Sequence, residues 1–144
     1  MSLRYAQQDT FPIIGSKDGT TTTASALTTA YTGNTKTFKV ALFSKLNLDI
    51  EYNMGATETG NSIEVQVEGS PDGVNFYRIP NESVSAGTST LTAREFTFVG
   101  TDADTATVSI GLDIFYRYVK VSIKESGVVT NAGTAYVEAT ISGQ

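Results

Sequence analysis

Along most of the chain, apolar and polar side chains alternate with a period of two, the mark of strands with one buried and one wet face. The cleanest run is residues 46–54, where Leu46, Leu48, Ile50 and Tyr52 share one side and Asn47, Asp49, Glu51 and Asn53 the other. In residues 62–68, Ile63, Val65 and Val67 alternate with Glu64, Gln66 and Glu68. Ser70-Pro71-Asp72-Gly73 then reverses the chain, because Pro and Gly supply the backbone angles of a tight turn, and residues 74–79 return as the second strand of a hairpin. Further strands are read over residues 37–43, with Phe38, Val40 and Leu42 on one face, and over 91–99 and 106–110. Phe115, Arg117, Val119, Val121 and Ile123 alternate with Tyr116, Tyr118, Lys120, Ser122 and Lys124. A Gly- and Asn-rich loop at residues 127–133 leads on to Ala135, Val137, Ala139 and Ile141 and predicts a closing hairpin. Residues 25–32 are a less regular strand candidate, 55–61 and 80–89 read as loops, 101–105 as a turn, and 112–116 have room for one helical turn.

Eight or nine such strands must bury their apolar faces against each other, which predicts an all-β fold. The expected architecture is an antiparallel β-sandwich, a jelly roll or related Greek key, formed by residues 24–144. Residues 1–23 lack the alternation, contain Pro12 and Gly15, and offer only Phe11, Ile13 and Ile14 as apolar anchors. They read as an extended N-terminal arm that docks those three residues on a partner subunit or another protein.

Composition supports the β reading and removes several kinds of chemistry. Threonine is abundant, and its branched β-carbon favours strands. The 144 residues contain no Cys and no His, so no disulfide, thiolate or imidazole site is available. Without His or Cys no nucleophile–base–acid set of the common kinds can be assembled, which leaves only Ser/Lys or paired-carboxylate chemistry, and the expectation is a protein that is not an enzyme and holds no cofactor. The net charge of −5, with no Lys/Arg run, argues against a nucleic-acid partner. No stretch approaches the roughly 20 apolar residues that span a bilayer, so no membrane role is expected. The first residues lack the apolar centre of a secretion signal, which predicts synthesis in a cytoplasm and delivery by assembly.

Three groups of side chains are candidate sites. Asp102, Asp104 and Asp113 can offer oxygens to calcium, but Asp-x-Asp falls short of the six to eight ligands calcium takes, and a solvated turn is the better reading with no metal. Asp49, Glu51, Glu64 and Glu68 fall on outward positions of neighbouring strands and read as solvated carboxylates rather than a glycosidase pair. Tyr116, Tyr118 and Tyr136 take the outward phase of the closing hairpin, where they would form a subunit interface, a sugar platform or ordinary cross-strand packing. Arg117 sits in the buried phase and calls for a carboxylate partner or a place at the core's edge.

Leu48-Asp49-Ile50-Glu51-Tyr52, followed by residues 62–77, resembles a pattern common in tailed-phage and prophage structural proteins, where a strand ends in Ser-x-Asp-Gly-x-Asn-Trp/Phe-Tyr. Phe115-Tyr116-Arg117-Tyr118-Val119-Lys120-Val121 resembles the late Arg-Tyr-Val-Arg/Lys-Val strand of those proteins and of discoidin-like carbohydrate-binding sandwiches. The resemblance covers residues 46–79 and 112–142. It implies a virion component, and small phage proteins of this kind include capsid decoration (cement) proteins that sit on the capsid surface as trimers. The resulting expectation is a non-enzymatic homotrimer, assembled in the host cytoplasm, that binds the major capsid protein and reinforces the shell. The alternative is a carbohydrate-binding adhesion module on a phage head or tail, which the absence of Trp weakens.

Overall fold

Eight strands carry the alternation into structure: β1 (Gln8–Ile14), β2 (Thr35–Lys39), β3 (Lys45–Asn53), β4 (Ser62–Ser70), β5 (Glu95–Val99), β6 (Thr105–Asp113), β7 (Tyr118–Ser126) and β8 (Thr134–Ser142). The structure is a computed structural model and describes residues 8–55, 60–93, 95–100, 104–127 and 129–143. One sheet has the order β1-β8-β3-β6 and the other β5-β4-β7-β2, with every neighbouring pair antiparallel. Ser25–Ala26 extends the first sheet beside β8, and Tyr77–Arg78 extends the second beside β4. Strand partners nest: first with last, second with seventh, third with sixth, fourth beside fifth. This is a long antiparallel ribbon folded back on itself, the jelly-roll arrangement. The expected all-β sandwich is therefore the observed one, and the helical content among the described residues is a single 3-10 turn at Tyr31–Gly33.

The core lies between the sheets. Leu46, Leu48, Ile50 and Tyr52 of β3, Ile110 and Leu112 of β6, and Ala135, Val137, Ala139 and Ile141 of β8 face Ile63, Val65 and Val67 of β4 and Val119, Val121 and Ile123 of β7. Each Val, Leu or Ile so buried contributes roughly 1.5–3 kcal/mol. Phe11 of β1 meets Phe38 of β2 edge-on at 5.3 Å and closes the sandwich along one side.

Several expectations need correction. Residues 8–23 are not an arm: β1 pairs with β8, and Ile13 and Ile14 are core residues. The register shifts between Pro12 and Ile14, and this bulge turns two successive isoleucines inward, which is why strict alternation failed there. Ser16–Asp18 and Thr21–Thr23 follow as a short exposed hairpin, while residues 1–7 lie outside the described residues. Residues 80–89 are not a loop. Pro80–Ser85 and Thr88–Ala93 form a hairpin through Ala86 and Gly87, both at positive φ, the two-residue turn whose twist suits paired strands. Residues 91–99 are accordingly two strands with different partners. The 101–105 turn lies largely outside the described residues, β6 runs on to Asp113 with no helical turn at 112–116, and β2 stops at Lys39, short of Leu42.

The largest correction concerns the end of the chain. β7 and β8 do not form a hairpin, because β7 belongs to one sheet and β8 to the other. Alternation fixes which side chains face inward but not which sheet a strand joins. A seven-residue connection can cross between layers as readily as turn back.

Candidate functional site

The six residues picked out as contact candidates do not assemble into one surface. Ile13 and Ile14 are 6% and 5% exposed inside the protein's own core, and Phe11 packs against it. Tyr136 lies on the outer face of the first sheet but is 6% exposed, with Gly15 against its ring. Tyr118 stands half-buried on the outer face of the second sheet, its ring against Gly73, and Tyr116 lies in the β6–β7 connection with its ring over Gly69. The three tyrosines therefore share no face, and the single tyrosine surface expected on a β7–β8 hairpin is not formed. Arg117 is exposed rather than in the core phase; its carbonyl accepts the N–H of Val40 at 2.8 Å.

The exposed apolar side chains gather elsewhere. Tyr118 stands opposite both Ser70 and Lys39, and Lys45 opposite both Asp113 and Ser142. The connections at residues 40–44, 71–77 and 114–117 thus meet at one end of the sandwich. There the N–H of Ser44 donates to Ser142 at 2.9 Å, and that of Ile114 to Ser44 at 2.8 Å. On these connections Leu42 is 90% exposed, Phe115 86%, Val74 79% and Tyr77 60%. Leu42 also has φ +77, a conformation that costs a residue with a β-carbon about 1–2 kcal/mol. Both Leu42 and Phe115 were expected on the buried side of strands. Each lies just beyond the ladder, where the chain crosses between sheets and alternation no longer applies.

The motif behind the phage resemblance builds part of this end. Oδ1 of Asp72 accepts the backbone N–H groups of Val74 and Asn75, both at 2.8 Å, and Oδ2 accepts the Asn75 side-chain amide at 2.8 Å. Ser70 Oγ donates to Asp72 and accepts from Gly73 N–H at 2.9 Å. These bonds, led by the backbone N–H of Asn75, hold the Asp72 carboxyl far below its usual range. Ser70, Asp72, Gly73 and Asn75 tie a rigid turn that carries Val74 outward.

The outer faces are polar. On the second sheet, Glu64 pairs with Lys124 at 3.0 Å and Glu68 with Lys120 at 3.4 Å, and the two ammonium groups lie over the rings of Tyr31 and Phe76. The hydrogen bond from Lys124 pulls Glu64 below its ordinary value, so these carboxylates are ion-paired rather than simply solvated. On the first sheet, a groove of about 320 Å³ is lined by Asp49, Glu51, Thr107, Ser109, Tyr136 and Glu138. Ser109 Oγ donates to Asp49 at 2.8 Å, and Tyr136 donates to Glu138 at 2.7 Å. Burial, reinforced by that bond, pushes the Tyr136 phenol up to about 12, while Glu138 is lowered by Tyr136 and Lys17. Asp49 and Glu51 are thus on a different sheet from Glu64 and Glu68.

At the opposite end the sequence reading missed one residue. Glu125 continues the inward phase of Val119, Val121 and Ile123 and is 1% exposed. Its Oε2 accepts the N–H of Gly133 at 3.0 Å, its own N–H donates to Thr28 at 2.8 Å, and Oε1 is buried without a hydrogen bond among the described residues. The phase of β7 was the signal that could have found it. Among the described residues no group of three or more Asp or Glu is arranged to hold a metal ion; Asp102 lies outside them. No protein-family model matches the chain, and no curated protein matches it.

Proposed function

We propose that the protein is a non-enzymatic structural component of a phage virion, a capsid decoration protein that docks on the major capsid protein through its apolar end. The observation that carries this reading is the pair Leu42 and Phe115, 90% and 86% exposed on hydrogen-bonded neighbouring loops. Large apolar side chains grouped at one end of a sandwich, one of them in a costly backbone conformation, support a contact surface there. The phage-like turn around Asp72 supports the same reading, because it delivers Val74 to that end. Docking of several copies spreads contact area over many capsid subunits and multiplies weak contacts.

The test is co-sedimentation with phage heads that lack the protein. Wild type should pellet with the heads, and the double variant Leu42→Asn/Phe115→Ser should stay in the supernatant while keeping its circular dichroism spectrum. Wild type that ignores heads altogether would end the decoration reading. Glycan binding is the second reading, favoured by the carboxylate- and hydroxyl-lined groove on the first sheet. It requires a glycan whose affinity falls in Glu51→Gln.

A further inference from the structure

The four strands at the sheet edges are treated unequally. An edge strand offers a row of unpaired N–H and C=O groups, and proteins blunt such rows with Pro, bulges, lysines or shortness. β1 carries Pro12 and a bulge. β2 has five residues, two of them Lys36 and Lys39. β5 also has five residues, and its Glu95 is tied to Arg78 at 3.1 Å. β6 has none of these devices. Its nine residues, Thr-Ala-Thr-Val-Ser-Ile-Gly-Leu-Asp, pair with β3 in unbroken register and include one charge, Asp113, at the far end. Among the described residues, no backbone hydrogen bond joins residues 105–113 to anything except β3.

The same side of the sandwich is also the less closed one. β1 and β2 meet through Phe11 and Phe38, which leaves β6 and β5 as the edges of the other side. Phe96, Phe98, Ala106 and Val108 of those two strands are half-buried against the core.

We propose that β6 pairs antiparallel with β6 of a second copy about a two-fold axis at Ser109, joining two four-stranded sheets into one of eight. The strand is self-complementary in that register. Ser109 faces Ser109, Val108 faces Ile110, Ala106 faces Leu112, Thr107 faces Gly111, and Thr105 faces Asp113. Apolar positions stay on the core side of both copies, as the period of two demands. Asp113 meets a threonine rather than its own image, so no like charges oppose each other. Pairing satisfies the open amide row and covers Ala106 and Val108, and an isologous contact of this kind stops at two copies, with the bulged, Pro-bearing β1 at both ends of the joined sheet.

Sedimentation velocity over a wide concentration range, with two variants, tests this arrangement. Wild type should form dimers. Ser109→Lys sets two lysines opposite each other across the axis and should weaken the dimer about fivefold or more. Thr105→Lys sets a lysine opposite the partner copy's Asp113 and should tighten it. Both variants add one positive charge to an acidic protein, so a general charge effect would shift them in the same direction. Circular dichroism and melting of each variant check that the fold persists. A wild type that stays monomeric, a trimer, or a dimer that both variants shift alike would each overturn the proposal.

Discussion

The two ends of the sandwich solve the same problem in opposite ways. At the end formed by residues 40–44, 71–77 and 114–117, backbone bonds and the Asp72 turn supply cohesion, and large apolar side chains point into water. At the end reached by the β3–β4, β5–β6 and β7–β8 connections, polar groups are buried instead. Glu125 is sealed beneath Gly133, Asn61 is 6% exposed beside Gly127, and Gly100 N–H donates to the Asn61 carbonyl at 2.7 Å. Val99, 76% exposed, is the one large apolar residue in water near this end among the described residues. Burial alone would give both ends the same character. The contrast is one of chemistry: one end buries hydrogen-bonded polar groups, and the other leaves large apolar side chains in water, which is the end the proposed docking uses.

The sharpest way to break that contrast is at Glu125. Replacing it with Ala leaves the Gly133 N–H without its acceptor and opens a cavity, and should cost about 2–4 kcal/mol by urea denaturation. Glu125→Gln keeps an acceptor oxygen and removes a buried acid, so it should cost clearly less. Equal losses would mean that the carboxylate does more than hold Gly133. At the apolar end, Gly69→Ala drives a β-carbon into the Tyr116 ring and should cost about 1–3 kcal/mol, with the 114–117 connection displaced. A neutral Gly69→Ala would show that this connection is not held by the ring.

Acid should act on the ends unequally. Asp72, Glu64 and Glu138 all titrate below their ordinary values when folded. Their stabilisation is complete above the unfolded values, 3.8 for Asp72 and 4.5 for the glutamates, and is lost as the pH falls below these toward the folded ones. Below about pH 4, hydrogen exchange at Val74 and Asn75 should therefore accelerate, because the opened turn, where Asp72 titrates near 3.8, binds a proton that the folded turn does not. In Asp72→Asn those amides should exchange at a rate that hardly depends on pH, once the intrinsic exchange rate is divided out. The smallest effect is expected at Leu42. Asn tolerates positive φ, and the lost side chain is in water, so Leu42→Asn should gain up to about 1 kcal/mol while weakening attachment to heads. A loss of stability would place Leu42 among the residues that hold the fold.

Most of the sandwich was legible in the sequence because its central strands alternate cleanly. β3, β4 and β8 took the predicted faces residue by residue, and the turn at Ser70–Gly73 formed where Pro and Gly placed it. The failures have identifiable causes. β1 was hidden by a bulge that turns Ile13 and Ile14 the same way. The 80–93 hairpin was hidden by a polar sequence. The assignment of β7 and β8 to different sheets leaves no trace in a period of two. The apolar end was illegible for a further reason. Alternation read Leu42 and Phe115 as core, and only the end of the ladder, which is a tertiary fact, puts them in solvent.

The nested pairing also sets an order in time. Once β4 and β5 lie side by side, closing β3 on β6 spans little additional free chain, and β2–β7 and β1–β8 follow by the same shortening of each loop. A ribbon that zips outward from its middle joins residues far apart in sequence at its last step, so this fold belongs among the slow ones, in milliseconds to seconds. On that path β1 should close last and, by the same path reversed, open first. β1, the strand whose alternation is weakest, should then be the first point of entry for a protease, and native-state hydrogen exchange should be fastest along Gln8–Ile14 among the eight strands.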